Sequence, residues 1–295
     1  MWLSWQWAAV LAAGLGVASF LVRRRPPAHP GNANGSLLGD FFTQAALIAA
    51  LYSVWQLIAS YADRRVDGAV QHGWWVWRLE RNLHLSSEAS LQHLILHQRW
   101  LVEGSNVFYA GVHVPALGIL LVWLFVRHRD RFARYRDTLA GLTLMCLLAY
   151  IVPVAPPRLL PGLGMVDTGL VYHQSVYGQP GTGIADQLSA VPSVHMAWSL
   201  FIAFTVIAVS GSRWRWLVVA HPVATMLVVV VTANHYWLDG AAAAVLLAAA
   251  IPVAAGIEGF RARQLGRLRY RQLRPTPALP VTIGAEDAIE VGQDA

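Results

Sequence analysis

Four side chains in this chain have types and spacings that could do chemistry at an anion. His235 and Asp239 stand in Asn234-His235-Tyr236-Trp237-Leu238-Asp239. A four-residue separation puts both on one helix face, within hydrogen-bonding reach. A carboxylate so placed fixes the imidazole tautomer and raises its basicity, the arrangement that activates a nucleophile or a base. His195 lies in Pro192-Ser193-Val194-His195, where a helix opens and leaves first-turn backbone N–H groups unpaired. Such a turn holds an anion without any side chain. Arg158 follows Pro156-Pro157, which end a helix and stiffen the approach to the guanidinium. Its planar, permanently charged donors match phosphate oxygens. Each residue alone also has a plainer reading: a histidine bonding at an interface, a wetted first-turn Asp239, an Arg158 snorkelling to headgroups. Taken together they describe phosphoryl chemistry.

The elements that must position them are membrane helices. Only 13% of the 295 residues are charged, against about 25% in soluble domains, while 56% are hydrophobic and apolar runs recur from end to end. Seven spans are expected, over roughly 2–21, 39–60, 105–126, 137–155, 194–210, 215–233 and 236–257. The first run precedes Arg23-Arg24-Arg25 and lacks a cleavage site, so it reads as a retained helix rather than a signal peptide. Every basic residue is arginine. One set of loops carries 16 of them and the other carries 6, which places the N-terminus outside and the C-terminus in the cytoplasm. His195, His235, Asp239 and Arg158 then share the outer side and a similar depth, and that coincidence favours the functional reading. Asp239 is also the only acidic residue well inside a proposed span, costly there unless it serves a site.

Two outer segments are long. Residues 61–104 carry Trp74, Trp75 and Trp77 and an apolar stripe interrupted at Gln98, expected to form an interfacial helix. Residues 156–193 are rich in Gly and Pro, and a loop of that length is usually functional. The segment from Gln264 onward, basic and then acidic, is expected to be irregular, with its arginines near anionic headgroups. The lone cysteine, Cys146, excludes an intramolecular disulfide and a cysteine-built zinc site. Net charge sits in the loops between spans, so it speaks for topology rather than nucleic-acid binding.

Pro192-Ser193-x-His195 and His235-x-x-x-Asp239 resemble the second and third motifs of the type 2 phosphatidic acid phosphatase / vanadium haloperoxidase superfamily. The resemblance extends to its lipid-phosphotransferase branch, which includes the fungal inositol phosphorylceramide synthases. Pro156-Pro157-Arg158, Asn106-x-Phe108-Tyr109, His113-Val114-Pro115 and His235-Tyr236 look like that branch, especially its actinobacterial members. It covers roughly residues 40–257. Where the phosphatase motifs carry a Lys, a Pro and a further Arg, this chain has Ile151, Leu159 and Val229, a pattern that favours the looser, transferase-like branch.

The resemblance implies His235 as nucleophile forming a phosphohistidine, Asp239 orienting it, and His195 protonating the leaving alcohol. Arg158 and the backbone amides near Ser193 would stabilise the pentavalent phosphorus. His113 belongs either to the substrate site or to packing within the third span. No metal and no other cofactor is implied, because the outer side lacks a carboxylate cluster suited to Mg²⁺. The expected fold is all-α and polytopic: a six-helix phosphatase-type core over 35–263, an extra N-terminal helix with a basic linker over 1–34, and a tail over 264–295. The expected activity, in the cell membrane, is cleavage or transfer of a lipid phosphate ester at the extracytoplasmic face. Its partners are a lipid phosphate substrate and membrane lipids. The rival is a transporter or a lipid-binding scaffold using the same polar residues.

Overall fold

The computed structural model describes residues 4–24, 34–62, 68–176 and 187–273. Among them the chain is helical, and the only β geometry is an isolated parallel bridge between Val154 and Ser189. It divides into two units, Met1–Ala255 and Gly256–Ala295. The helix expected to end near residue 257 continues as Trp237–Leu273, so Gln264–Leu273 is regular; residues 274–295 lie outside the described residues.

Helices α1 (Trp5–Arg24) and α2 (Asn34–Ala62) form an antiparallel hairpin. Where water is scarce, each hydroxyl needs an internal acceptor. Ser19 Oγ accordingly donates to Gly39 O at 2.8 Å, and Ser53 Oγ donates to Trp5 O at 2.7 Å. At one end Asp40 accepts from Arg23 (2.5 Å) and from Arg129, while Arg136 donates to Gln44. Three arginines assigned to the same side of the membrane thus meet around α2.

The single interfacial helix expected over 61–104 is instead three pieces: α3 (Ala69–Asn82), α4 (Glu88–Leu96) and the start of α5 (Arg99–Gly111). His84, at φ 56°, turns the chain between α3 and α4. Gln98 is the residue preceding α5, not a flaw in one continuous stripe. The third expected span is also corrected. It is bent by 46° where α5 meets α6 (His113–Arg127). Pro115 cannot donate to Gly111 O, and its ring would crowd that carbonyl, so an unbroken helix is unavailable there.

Helices α7 (Arg129–Ala149), α8 (Thr168–Val171), α9 (Val194–Val209), α10 (Ala220–Val231) and α11 (Trp237–Leu273) complete the described chain. Among the described residues four stretches are long and apolar enough to cross a membrane, Trp5–Arg24, Leu37–Leu57, Arg213–Val231 and Trp237–Gln264, with a fifth where the bent α5–α6 pair is counted as one span. Two of the seven expected spans fall outside that set for plain reasons. Helix α7 opens with six charged residues between Arg129 and Asp137, and α9 has only 16 residues.

The main core is apolar and shared among α6, α7, α9, α10 and α11, with Leu124, Leu142, Cys146, Phe201, Val229 and Ala243 fully buried. A smaller cluster, Val76, Val154, Ala155, Leu160, Ala190 and Tyr236, underlies the polar residues described next.

Candidate functional site

The local chain path explains why the expected residues meet. Val154 N donates to Leu188 O at 2.6 Å and Ala190 N donates to Val154 O at 3.1 Å, so the two segments on either side of the long loop are zipped together. Ala155 N donates to Ala69 O (2.9 Å), and Ala155 O accepts from the buried Tyr236 hydroxyl at 2.7 Å. Gly73 of α3 approaches this junction so closely that a Cβ would lie 2.8 Å from Ala155 O and 2.9 Å from the Tyr236 hydroxyl. Gln92 ties in the end of α10: its amide donates to Val231 O (3.0 Å) and Val166 O (2.9 Å) and accepts from Val166 N (2.8 Å).

Between α10 and α11 the chain reverses through Ala233, at φ 56°, and His235 precedes α11. The shared helix face expected for His235 and Asp239 is therefore replaced by a turn-and-cap geometry. Asp239, in the first turn of α11, reaches back so that Oδ2 accepts from Tyr236 N and from His235 Nδ1, each at 3.0 Å. It does so because first-turn N–H groups lack helical acceptors. Asp239 is completely buried and His235 is 4% exposed.

His235 Nδ1 is also 2.7 Å from Ala190 O. Flanked by a carbonyl and a carboxylate, neither of which can donate, Nδ1 must carry the proton. Nε2 then holds the lone pair, and it is buried with no hydrogen-bond partner among the described residues. A buried imidazole with a fixed tautomer and an unengaged basic nitrogen can act as a nucleophile or a base.

His195 sits in the first turn of α9, its ring centroid 5.8 Å from that of His235 and 4.4 Å from that of Tyr109. Ser193 is the N-cap of α9: its Oγ accepts from Met196 N at 3.3 Å, and the residue is fully buried. The hydroxyl is spent on capping, while the N–H groups of Val194 and His195 have no acceptor within the helix. His113, at the α5–α6 bend, packs edge-on against His195 (4.8 Å between centroids), and its Nε2 is 3.3 Å from Thr225 Oγ1.

Arg158 lies in a 3-10 turn, Pro157–Leu159, and its backbone N donates to Ala233 O at 3.1 Å. Its Nη1 donates to Asn234 Oδ1 at 2.5 Å and its Nε to Asp167 Oδ2 at 3.1 Å, with the side chain 1% exposed. Arg158 is thus fastened to the residue directly before His235. A buried guanidinium needs a counter-charge, and Asp167 supplies it. A small cavity of about 10 Å³, room for a single water, lies beside this pair, lined by Asn106, Tyr109, Asp167, Gln174 and Asn234 among others. Among the described residues no group of three or more His, Cys, Asp or Glu side chains is placed to hold a metal ion.

The structure therefore brings His235, Asp239, His195, Arg158 and Ser193 to one end of the helices, with His113 one ring further on. Sequence reasoning missed Asn234, Asp167, Glu80 and Glu88. Asn234 is adjacent to His235, and Asp167 is an acid before a short helix in a loop rich in Gly and Pro, so both carried a local signal. Glu80 and Glu88 are buried acids in segments that read as interfacial, and only the fold places them beside α11.

Two histidines, a buried carboxylate, an arginine and a helix N-terminus gathered at the polar end of a helical membrane protein are groups able to hold and attack a phosphate ester. The family follows from the chain itself: a model of the PAP2 superfamily matches residues 74–253, more than half the sequence, and the protein belongs to that superfamily. Membership suggests a lipid-phosphatase-type function, and lipid substrates fit a membrane-embedded enzyme. No curated protein and no solved structure matches significantly.

Proposed function

We propose that this protein is an integral-membrane lipid phosphatase or phosphotransferase working through a phosphohistidine. The observation that supports it most is the pair of acceptors on His235 Nδ1, which leaves Nε2 with its lone pair. In the first step Nε2 attacks the phosphorus of a lipid phosphate ester. The N–P bond forms as the P–O bond to the leaving alcohol breaks, and His195, held as the imidazolium by the charge of the bound phosphate, gives that oxygen its proton. Asp239 stabilises the imidazolium through Nδ1–H. Arg158 and the first amides of α9 stabilise the charge on the pentavalent phosphorus.

In the second step an acceptor hydroxyl attacks the phosphohistidine. Neutral His195 takes its proton, the N–P bond breaks, and His235 returns to its starting tautomer. Water as acceptor gives a phosphatase, and a lipid or polyol hydroxyl gives a transferase. Ile151, Leu159 and Val229, where the phosphatase motifs carry charges or Pro, favour headgroup transfer of the phosphoinositol type. The distribution of 16 and 6 arginines between the two sets of loops favours an extracytoplasmic site and a cytoplasmic C-terminus.

A panel of lipids labelled at phosphate, phosphatidic acid and phosphatidylinositol among them, separates the outcomes. Wild type is expected to give released phosphate or a labelled transfer product, and His235→Ala neither. Retained ligand binding without any turnover by wild type would instead support the transporter or scaffold reading.

A further inference from the structure

Behind the His235–Asp239 pair lies a second layer of buried acid. Glu80 of α3 is completely buried, and Glu88, the first residue of α4, is 1% exposed. One cation serves both: Arg81 Nη2 is 3.2 Å from each oxygen of Glu88 and 3.8 Å from Glu80 Oε2. Glu80 Oε1 accepts from Leu238 N at 2.7 Å. That N–H belongs to the first turn of α11 and has no acceptor within the helix. Leu238 is bonded directly to Asp239, so the Glu80 carboxyl holds the Trp237–Leu238 peptide, one residue before it. Trp237 Nε1 donates to Ser86 O at 3.0 Å, which clamps the same turn of α11 from the α3–α4 connection.

We propose that Glu80 is a positioning residue of this site: by capping Leu238 it sets the first turn of α11 and holds Asp239 against His235 Nδ1. It touches no substrate. Its kinetic consequence rests on His235 and Asp239 acting as described above, while its capping role does not.

The groups facing Glu80 are Glu88 from α4, Asp239 from α11, Tyr236 from the turn before α11, and Arg81 on its own helix. Two buried carboxylates beside Asp239 with one arginine would leave negative charge uncompensated, so the pair keeps a proton. Glu80 Oε2 makes no other hydrogen bond and can donate that proton to Glu88. Burial first, then the bond with Glu88 and repulsion from Glu88 and Asp239, push the Glu80 carboxyl up from 4.5 to about 9, against the Leu238 N–H. For an acid whose value rises on folding, stability is complete below the unfolded value and drains away as pH climbs to the folded one. The window therefore runs from about 4.5 to about 9. Over the same range the ionised fraction, which repels Asp239, grows.

Glu80→Gln keeps the Oε1 acceptor for Leu238 and replaces the proton with an amide N–H toward Glu88; Glu80→Ala removes both. The full-length proteins are compared in detergent, by kcat and KM on the lipid phosphate wild type turns over best, and by melting. Glu80→Gln should keep kcat within about twofold at neutral pH and abolish the wild-type decline near pH 9, whereas Glu80→Ala should lose about tenfold or more in kcat with KM within about threefold. The melting temperature of Glu80→Gln should gain steadily on wild type between about pH 5 and pH 9. A Glu80→Gln as impaired as Glu80→Ala, a Glu80→Ala with wild-type kcat, or a melting difference flat in pH would overturn the proposal. If wild type turned over none of the lipids, the functional reading would fall, and the melting comparison would still decide the capping.

Discussion

The N-terminal hairpin and the polar end of the helices solve opposite problems with the same backbone. In α1 only Ala8 and Ser19 are buried, and Val10, Leu11, Val17 and Phe20 face outward. Its few polar groups are satisfied within the hairpin, Ser19 by Gly39 O and Thr43 Oγ1, and Ser53 by Trp5 O. At the other extreme, Glu80, Glu88, Gln92, Asp239 and Ser193 are all at or below 1% exposure, and each reaches across to a different element or caps one. The first region is apolar surface with polar staples. The second is a buried polar network, where removing one member strands the others. The superfamily match, residues 74–253, takes in the second region and begins after the hairpin.

That contrast predicts a gradient of mutational cost. Asp239→Asn should have the largest effect, because an amide can donate to Nδ1 and impose the wrong tautomer on His235; kcat should fall by about 10²–10⁴-fold with folding retained, measured by steady-state turnover. Arg158→Lys keeps the charge but cannot hold Asn234 and Asp167 together while meeting phosphate, and should cost about 10²-fold in kcat/KM. Gly73→Ala tests the packing beneath the site. The new Cβ would press on Ala155 O and the Tyr236 hydroxyl, costing about 1–3 kcal/mol in thermal or denaturant unfolding. Ser53→Ala in the hairpin should be mildest, about 1 kcal/mol in stability with turnover within about twofold. A large activity loss from Ser53→Ala, or none from Arg158→Lys, would erase the difference between the two regions.

The helical membrane architecture was legible because burial in lipid leaves a coarse signal: long apolar runs and an uneven arginine count. The bend at Val112 was written in Pro115 but masked by the apolar run around it. The division of 61–104 into helices was hidden because Asn82, Ser86 and Ser87 are weak punctuation beside three tryptophans. The spacing of His235 and Asp239 pointed to their hydrogen bond but not to its form, since a left-handed Ala233 is invisible in composition. Asn234 and Glu80 act through partners far along the chain, Asn234 and Arg158 being 76 residues apart and Glu80 and Leu238 158. Such pairs exist only once the fold has closed.

The most direct test is to trap the intermediate. Purified protein is mixed briefly with phosphate-labelled lipid, quenched in base, and the label mapped by peptide. Acid-labile, base-stable label on the peptide containing His235, absent from His235→Ala and persisting longer in a variant slowed at the second step, is the expected result. Turnover by wild type with no covalent label at any quench time, or with undiminished rate in His235→Ala, would contradict it.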